Sequence, residues 1–286
     1  MPRTVALVTD STAMLPAGLP AERDIIVVPL RVVVGAASYD EGVDAEATPQ
    51  TIAEALHEWT PVSTSRPTPA VFVEVYEKAQ AEGFDEVLSV HLSAQMSGTY
   101  ESAQLAAREV DIPVRAIDSR QLGMATGYAV LAAADVLDRG GSAQEAGDAA
   151  LRRADATTSL FYVDTLEYLR RGGRIGAAAA LLGSALAVKP LLEITDGRIA
   201  TREKVRTSAR ALSRLEELAV SAAARHQVDV TVAHLANPER ATMLADHLGA
   251  RLVDELCGRP VDVGEVGAVI GAHVGPGMVA VVVAPR

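Results

Sequence analysis

Three consecutive residues in the first half of the chain, Ser97, Gly98 and Thr99, have the types and spacing to hold an anion. They separate a short apolar run, Val87 to Leu92, from an amphipathic segment beginning at Tyr100, so they fall where a buried strand hands over to a helix. Gly98 permits a sharp turn, and the two hydroxyls lie beside the N–H groups that open the helix, where its dipole favours negative charge. A carboxylate or phosphate fits such a place. The plainer explanation is a turn with a capping hydroxyl. Similar chemistry recurs in Thr9-Asp10-Ser11-Thr12, in Ser63-Thr64-Ser65-Arg66-Pro67-Thr68-Pro69 and in Asp118-Ser119. Each alone reads as a cap or turn; together they read as a polar rim. His273 stands in Gly271-Ala272-His273-Val274-Gly275-Pro276-Gly277, among residues that bend backbone, so its ring is expected on a loop. A lone histidine there is as readily structural as functional.

The elements that must position these residues alternate in type. Val5 to Val8, one or two segments within Ile25 to Val34, Val87 to Leu92 and Val114 to Ile117 read as strands. Gln50 to Trp59, Pro69 to Glu82 and Leu122 to Leu137 read as helices. Such alternation implies a parallel sheet with crossover helices, whose ligands bind at the carboxyl ends of the strands. The hydroxyl-rich stretches follow strands, as that rule requires.

The second half differs in texture. Thr165 to Ile175 is a short arginine-rich helix ended by Gly172-Gly173, and Gly176 to Val188 reads as a buried helix of small apolar residues stopped by Lys189-Pro190. Leu191 to Thr201 forms a hairpin around Asp196-Gly197, which suits a type I′ turn. Helices are expected over Ser208 to His226 and Pro238 to Leu248, with strands at Val230 to Leu235 and Val279 to Ala284. Arg202, Lys204, Arg206, Arg210 and Arg214 make a basic stretch, with Arg206, Arg210 and Arg214 on one face if that segment is helical. It is either a solvated face or a dock for an acidic partner.

Composition removes several function classes. A chain of 286 residues can form two domains, and no apolar run reaches the roughly 18 residues of a membrane span. The opening Met1-Pro2-Arg3 leads straight into a strand pattern, so a cytoplasmic location is expected. The single cysteine, Cys257, excludes a disulfide framework, and the six histidines lack the spacing of paired zinc ligands, so no metal is expected. A net charge of −11 and 3% aromatic residues argue against nucleic-acid binding.

Taken in order, these motifs resemble the DegV family of bacterial fatty-acid-binding proteins. The resemblance covers essentially the whole chain: Thr9-Asp10-Ser11-Thr12, Thr64-Ser65-Arg66-Pro67, Ser97-Gly98-Thr99-Tyr100, Ile117-Asp118-Ser119, Asp164 to Ile175, Lys189-Pro190, Lys204-Val205-Arg206-Thr207, and His273 with Gly275-Pro276-Gly277. The Leu166-Glu167-Tyr168-Leu169-Arg170 stretch with Gly172-Gly173-Arg174-Ile175, and the histidine string, are its specific parts. It implies an α/β protein of two domains, an N-terminal Rossmann-like parallel sheet flanked by helices over residues 1–158 and a C-terminal α/β domain over 159–286, with a lipid tunnel between them. The tunnel would hold one long-chain fatty acid. A separate kinase subunit carrying ATP and magnesium would phosphorylate its carboxylate to an acyl phosphate, so this chain needs no cofactor of its own. Thr64, Ser65, Ser97, Gly98 and His273 would bind the carboxylate; Arg170, Arg174, Arg202 and Arg206 would lie near the head group or face the partner. Phe72, Ala177 to Leu182 and Met278 would shape the tunnel. Ala272 and Val274 stand where the family usually has hydroxyls, and Arg66 where it has glutamine, adding a cation or pointing to solvent.

The chain has no Gly-x-x-x-x-Gly-Lys loop and no Gly-x-Gly-x-x-Gly, in keeping with a subunit that leaves nucleotide chemistry to another protein. Two other functions use the same residues. One is a serine hydrolase with Ser97, His273 and Asp10 or Asp118 as a triad, although Met96-Ser97-Gly98 lacks the Gly-x-Ser-x-Gly elbow. The other is a lipid carrier that meets no kinase.

Overall fold

The computed structural model describes residues 3–181, 189–224 and 226–286. The first half runs β1 (Val5–Asp10), α1 (Leu19–Glu22), β2 (Ile25–Val28), β3 (Arg31–Val34), β4 (Ala37–Asp40), α2 (Pro49–His57), β5 (Val62–Ser65) and α3 (Pro69–Ala81). It continues with β6 (Glu86–His91), α4 (Thr99–Ala106), β7 (Val114–Asp118), α5 (Met124–Asp138) and α6 (Ala143–Ala156). The second half comprises β8 (Thr158–Tyr162), α7 (Glu167–Arg171), β9 (Lys189–Thr195), β10 (Arg198–Val205) and α8 (Ser208–Ala223). Last come β11 (Val228–His234), α9 (Pro238–Arg251), α10 (Val253–Leu256), β12 (Val261–Glu265), α11 (Ala268–Val274) and β13 (Val279–Pro285). No helix among the described residues is long and apolar enough to cross a membrane.

The expected α/β architecture is present. Strands β2-β1-β6-β7 form a parallel sheet in that order. Helices α5 and α6 cover one face through Ala129, Ala133, Ala146 and Ala150 against Leu7, Leu88 and Ile117. Phe72, Tyr76 and Ala103 cover the other, against Ala6, Val8 and Val87. Burial on both faces explains why these strands read as continuous apolar runs. The chain leaves β1 toward β2 on one side and reaches β6 on the other. The gap between the carboxyl ends of β1 and β6 is therefore a topological switch point, where such sheets bind ligands.

A second sheet, β10-β9-β8-β13-β11-β12, is antiparallel except for the β11–β12 pair. Helices α8 and α9 pack on one face through Leu215, Leu218, Leu244 and Leu248. Helix α5 bridges the two sheets, with Met124, Ala125 and Tyr128 against Val282 and Ala284 of β13. That double contact is why its apolar residues run around its whole circumference. The hairpin turn is of type I′, with Asp196 at φ 50° and Gly197 at φ 75°. Ser93 Oγ donates to the Gly197 carbonyl at 2.7 Å, tying the loop after β6 to that hairpin.

A small antiparallel sheet, β4-β3-β5, forms the third unit. Thr64 and Ser65 therefore lie on a strand, paired with Val32 and Arg31, and not in the turn their composition suggests. Val32 and Ile52 pack against Ala268 and Ala272 of α11. His273 is correspondingly on a helix and not on a loop. The preceding Ala268-Val269-Ile270 is buried and helical, and Gly275 ends the turn at φ 74°. Gly176–Leu181 forms a 3-10 turn, where an α-helix was expected. Gly176 is in the left-handed region at φ 55°, and its missing side chain admits the Ile199 carbonyl. The remainder of the expected helix, 182–188, lies outside the described residues.

Candidate functional site

The switch point opens into a cavity of about 360 Å³. Thr12 after β1 and Leu92, Met96, Ser97 and Gly98 after β6 form one wall. Thr64, Ser65 and Arg66 of the small sheet form the second; Val269, Ile270, His273 and Val274 of α11 form the third. Leu122, Leu169, Arg174 and Ile199 close it. A narrower apolar space of about 70 Å³ continues from Leu122, Ile199, Ile270 and Val274 to Phe161, Val266, Met278 and Val282. One end of the combined space is therefore rich in hydroxyl and nitrogen groups, and the other is hydrocarbon.

The polar end is ordered by short-range contacts. Thr64 Oγ1 and His273 Nε2 are 2.8 Å apart. Ser97 Oγ lies 2.8 Å from Thr99 Oγ1 and accepts the Thr99 N–H at 3.3 Å, leaving one hydroxyl proton between the two oxygens. Thr12 is held from behind, donating its hydroxyl at 2.5 Å and its N–H at 3.1 Å to Asp10 Oδ1. Asp10 is fully buried and also accepts the Leu92 N–H and faces His91 Nδ1, both at 3.0 Å. Its carboxylate serves as a fixed post joining the ends of β1 and β6.

His273 is electrostatically distinctive. Burial, helped by the nearby Arg174 charge, pushes its imidazole down to about 4, so the ring is neutral at pH 7. Its Nδ1 is buried with no partner among the described residues. The ring fits there because Gly172 lacks a side chain: a Cβ at that position would run into Nδ1. Arg174 is braced by carbonyls, donating from Nε to Met96 O at 3.1 Å and from Nη1 to Gly172 O at 2.5 Å.

A model of the uncharacterised DegV protein family matches residues 4–286. A DegV domain-containing protein of Streptomyces coelicolor is 52% identical over 287 residues, covering 100% of both chains. The chain belongs to the DegV family. A solved DegV family structure from Thermus thermophilus, described as fatty acid binding, matches at a TM-score of 0.89 with 33% identity, covering 99% of this chain and 100% of that one. DegV from Bacillus subtilis, described as a fatty acid binding protein, matches at 0.89 with 31% identity and the same coverage.

In this DegV-family chain the fold gathers Thr64, Ser65, Ser97, Gly98, His273 and Arg174 around one cavity, from segments far apart in sequence. Arg170, Arg202 and Arg206 do not line it. Arg170 is exposed and paired with Glu167 at 2.6 Å. Arg202 reaches Glu193 at 3.4 Å from β10, and Arg206 precedes α8, so it does not share a helical face with Arg210 and Arg214. Phe72 lies away from the cavity, fully buried behind the parallel sheet beside Tyr76 and edge-on to His91. Met278 does line the apolar extension. The hydrolase triad is not assembled: Ser97 pairs with Thr99, His273 with Thr64, and Asp10 with His91 and Thr12. Asp118 Oδ1 accepts backbone N–H groups of Ala94 and Arg120.

Sequence reasoning did not single out the apolar wall, Leu30, Leu92, Leu122, Leu169, Ile199, Val269 and Ile270. Any of these would serve equally well in a core, and only their convergence distinguishes them. Thr12 carried a signal, as the last residue of the hydroxyl-rich stretch after β1.

Proposed function

We propose that this protein binds one long-chain fatty acid with its carboxylate among Thr64, Ser65, Ser97, Gly98 and His273 and its chain in the apolar extension. It then presents that carboxylate to a separate ATP-dependent kinase subunit, which converts it to an acyl phosphate. The observation that carries this reading is the cavity's polarity, with hydroxyls and a neutral imidazole at one end and hydrocarbon side chains at the other.

The two ends have different energetic tasks. Burying about 14 methylenes at about 0.8 kcal/mol each contributes roughly 11 kcal/mol before the costs of association, so the tail supplies affinity. A carboxylate removed from water costs several kcal/mol unless its oxygens accept hydrogen bonds. Ser97 and Thr64 can supply them. Where Nε2–H of His273 donates to Thr64 Oγ1, the Thr64 hydroxyl proton is left for the carboxylate. The fatty acid binding described for the Thermus and Bacillus relatives supports the assignment. ATP and magnesium would be held by the kinase subunit, as phosphoryl transfer requires.

Native mass spectrometry of the purified protein, followed by denaturing extraction, tests the ligand. A stoichiometric gain resolving to a C14 to C18 fatty acid is expected. A protein that stays empty after incubation with such acids overturns the reading, and labelling of Ser97 by a fluorophosphonate would favour hydrolysis. Acyl phosphate formed only when kinase subunit, magnesium-ATP and loaded protein are combined separates presentation from plain carriage.

A further inference from the structure

We infer that Arg66 selects for a charged head group, by leaving Glu101 to pair with the anionic end of the bound lipid. The inference rests on the fatty-acid reading above and deepens it. Arg66 follows Thr64 and Ser65 at the end of β5 and lines the cavity beside Ser97 and Gly98. Its guanidinium lies across Gly98, so closely that a Cβ there would run into Nη1. Gly98 has φ −78°, a conformation any residue adopts, so the turn itself does not need glycine. The space a side chain would take is filled by the ends of Arg66 and Glu101.

Its only ion pair among the described residues is a loose one. Arg66 Nη1 meets Glu101 Oε2 at 3.4 Å, with the two side chains 54% and 57% exposed. Pairs of that kind contribute little and exchange readily. Arg174, the cavity's other arginine, is by contrast braced by the carbonyls of Met96 and Gly172. Glu101 belongs to the first turn of α4, the same helix start at which the head group would sit, so its charge opposes an incoming carboxylate. Arg66 screens that charge in the empty protein, and its guanidinium fork can take a carboxylate or phosphate with two parallel hydrogen bonds. The exchange replaces one long ion-pair contact with two short parallel ones, and an uncharged head gains nothing from it.

The test compares palmitate with hexadecanol, which has a similar chain and no charge, by competition against a fluorescent fatty-acid analogue. The wild type should prefer palmitate. Arg66→Gln should lower that preference about fivefold, Arg66→Lys, which keeps the charge without the fork, should recover only part of it, and Glu101→Gln should raise it by a similar factor. Equal losses for both ligands in Arg66→Gln would make the residue a packing element, and an unchanged ratio would leave it a solvated charge; either overturns the inference. Wild-type protein that takes up no palmitate in native mass spectrometry removes the fatty-acid reading and this inference with it. Wild-type binding with an unaltered ratio in Arg66→Gln removes this inference alone.

Discussion

Thr64 Oγ1 and His273 Nε2 meet at 2.8 Å across 209 residues of sequence. The contact joins the small sheet to the last turn of α11. The same small sheet holds the other end of that helix: Glu41, just after β4, accepts the Val269 N–H at 2.8 Å. Helix α11 is thus fixed at both ends by one unit, and the position of His273 in the cavity follows from that grip.

Ser97 contributes one shared hydroxyl proton and a backbone turn. Ser97→Ala removes the hydroxyl while leaving α4 to begin at Thr99, so the fold should persist. Fatty-acid binding should weaken by about 1–3 kcal/mol, the range for a lost hydrogen bond to a charged group. Titration calorimetry measures this; unchanged affinity would take Ser97 out of the head-group site.

The neutral state of His273 makes stability depend on pH. Its ordinary value is 6.5 and its folded value about 4, so between those limits the unfolded chain binds a proton that the folded chain does not. Stability from this residue is complete above about 6.5 and is lost as pH falls toward 4, by up to about 3 kcal/mol. Below 4 both states are protonated and the loss stops. Thermal unfolding over this range should be flatter for His273→Gln than for the wild type, and parallel curves would show that the ring titrates normally.

The parallel sheet was legible because both-face burial leaves uninterrupted apolar runs such as Val5-Ala6-Leu7-Val8. The hairpin was legible because Asp196-Gly197 has few other uses. Strand β5 was not, since Val62-Ser63-Thr64-Ser65 alternates exposure without an apolar run, and its pairing with β3 is set by tertiary contact. Helix α6 was overlooked although Ser142 and Glu145 form a capping box, because its buried face is built largely of alanine. His273 was misplaced for a related reason: the glycines on either side signal bending, while the apolar residues that make the helix signal only burial. The hydroxyl and imidazole residues of the site announced themselves by type. Which of them touch depends on the three-way meeting of sheets, which no local pattern encodes.

Gly172 should be intolerant of a side chain for a reason outside its own backbone. Its φ of −71° suits alanine, but the added Cβ would occupy the place of the His273 ring. Gly172→Ala should cost about 1–3 kcal/mol of stability, the usual range for overpacking, and should weaken fatty-acid binding as well. If melting temperature and affinity both hold, the ring is free to shift and is not fixed by this contact.

Arg170 and Arg171 act outside the cavity. Both bind Glu167, holding its carboxyl down to about 2, and Arg171 stacks 5.0 Å from the ring centre of Trp59, which is 74% exposed. An exposed tryptophan beside arginines is the composition of a protein-binding hot spot. Arg170 makes an exposed pair of little worth, so Arg170→Ala should leave the melting temperature and the fatty-acid affinity unchanged. If the chain presents its ligand to a kinase subunit as proposed, this loss should lower the rate of acyl phosphate formation, seen as a raised half-saturation concentration of the loaded protein. Equal losses in binding and phosphorylation would instead place its effect on the cavity, through the short helix α7 that carries Leu169 into the wall.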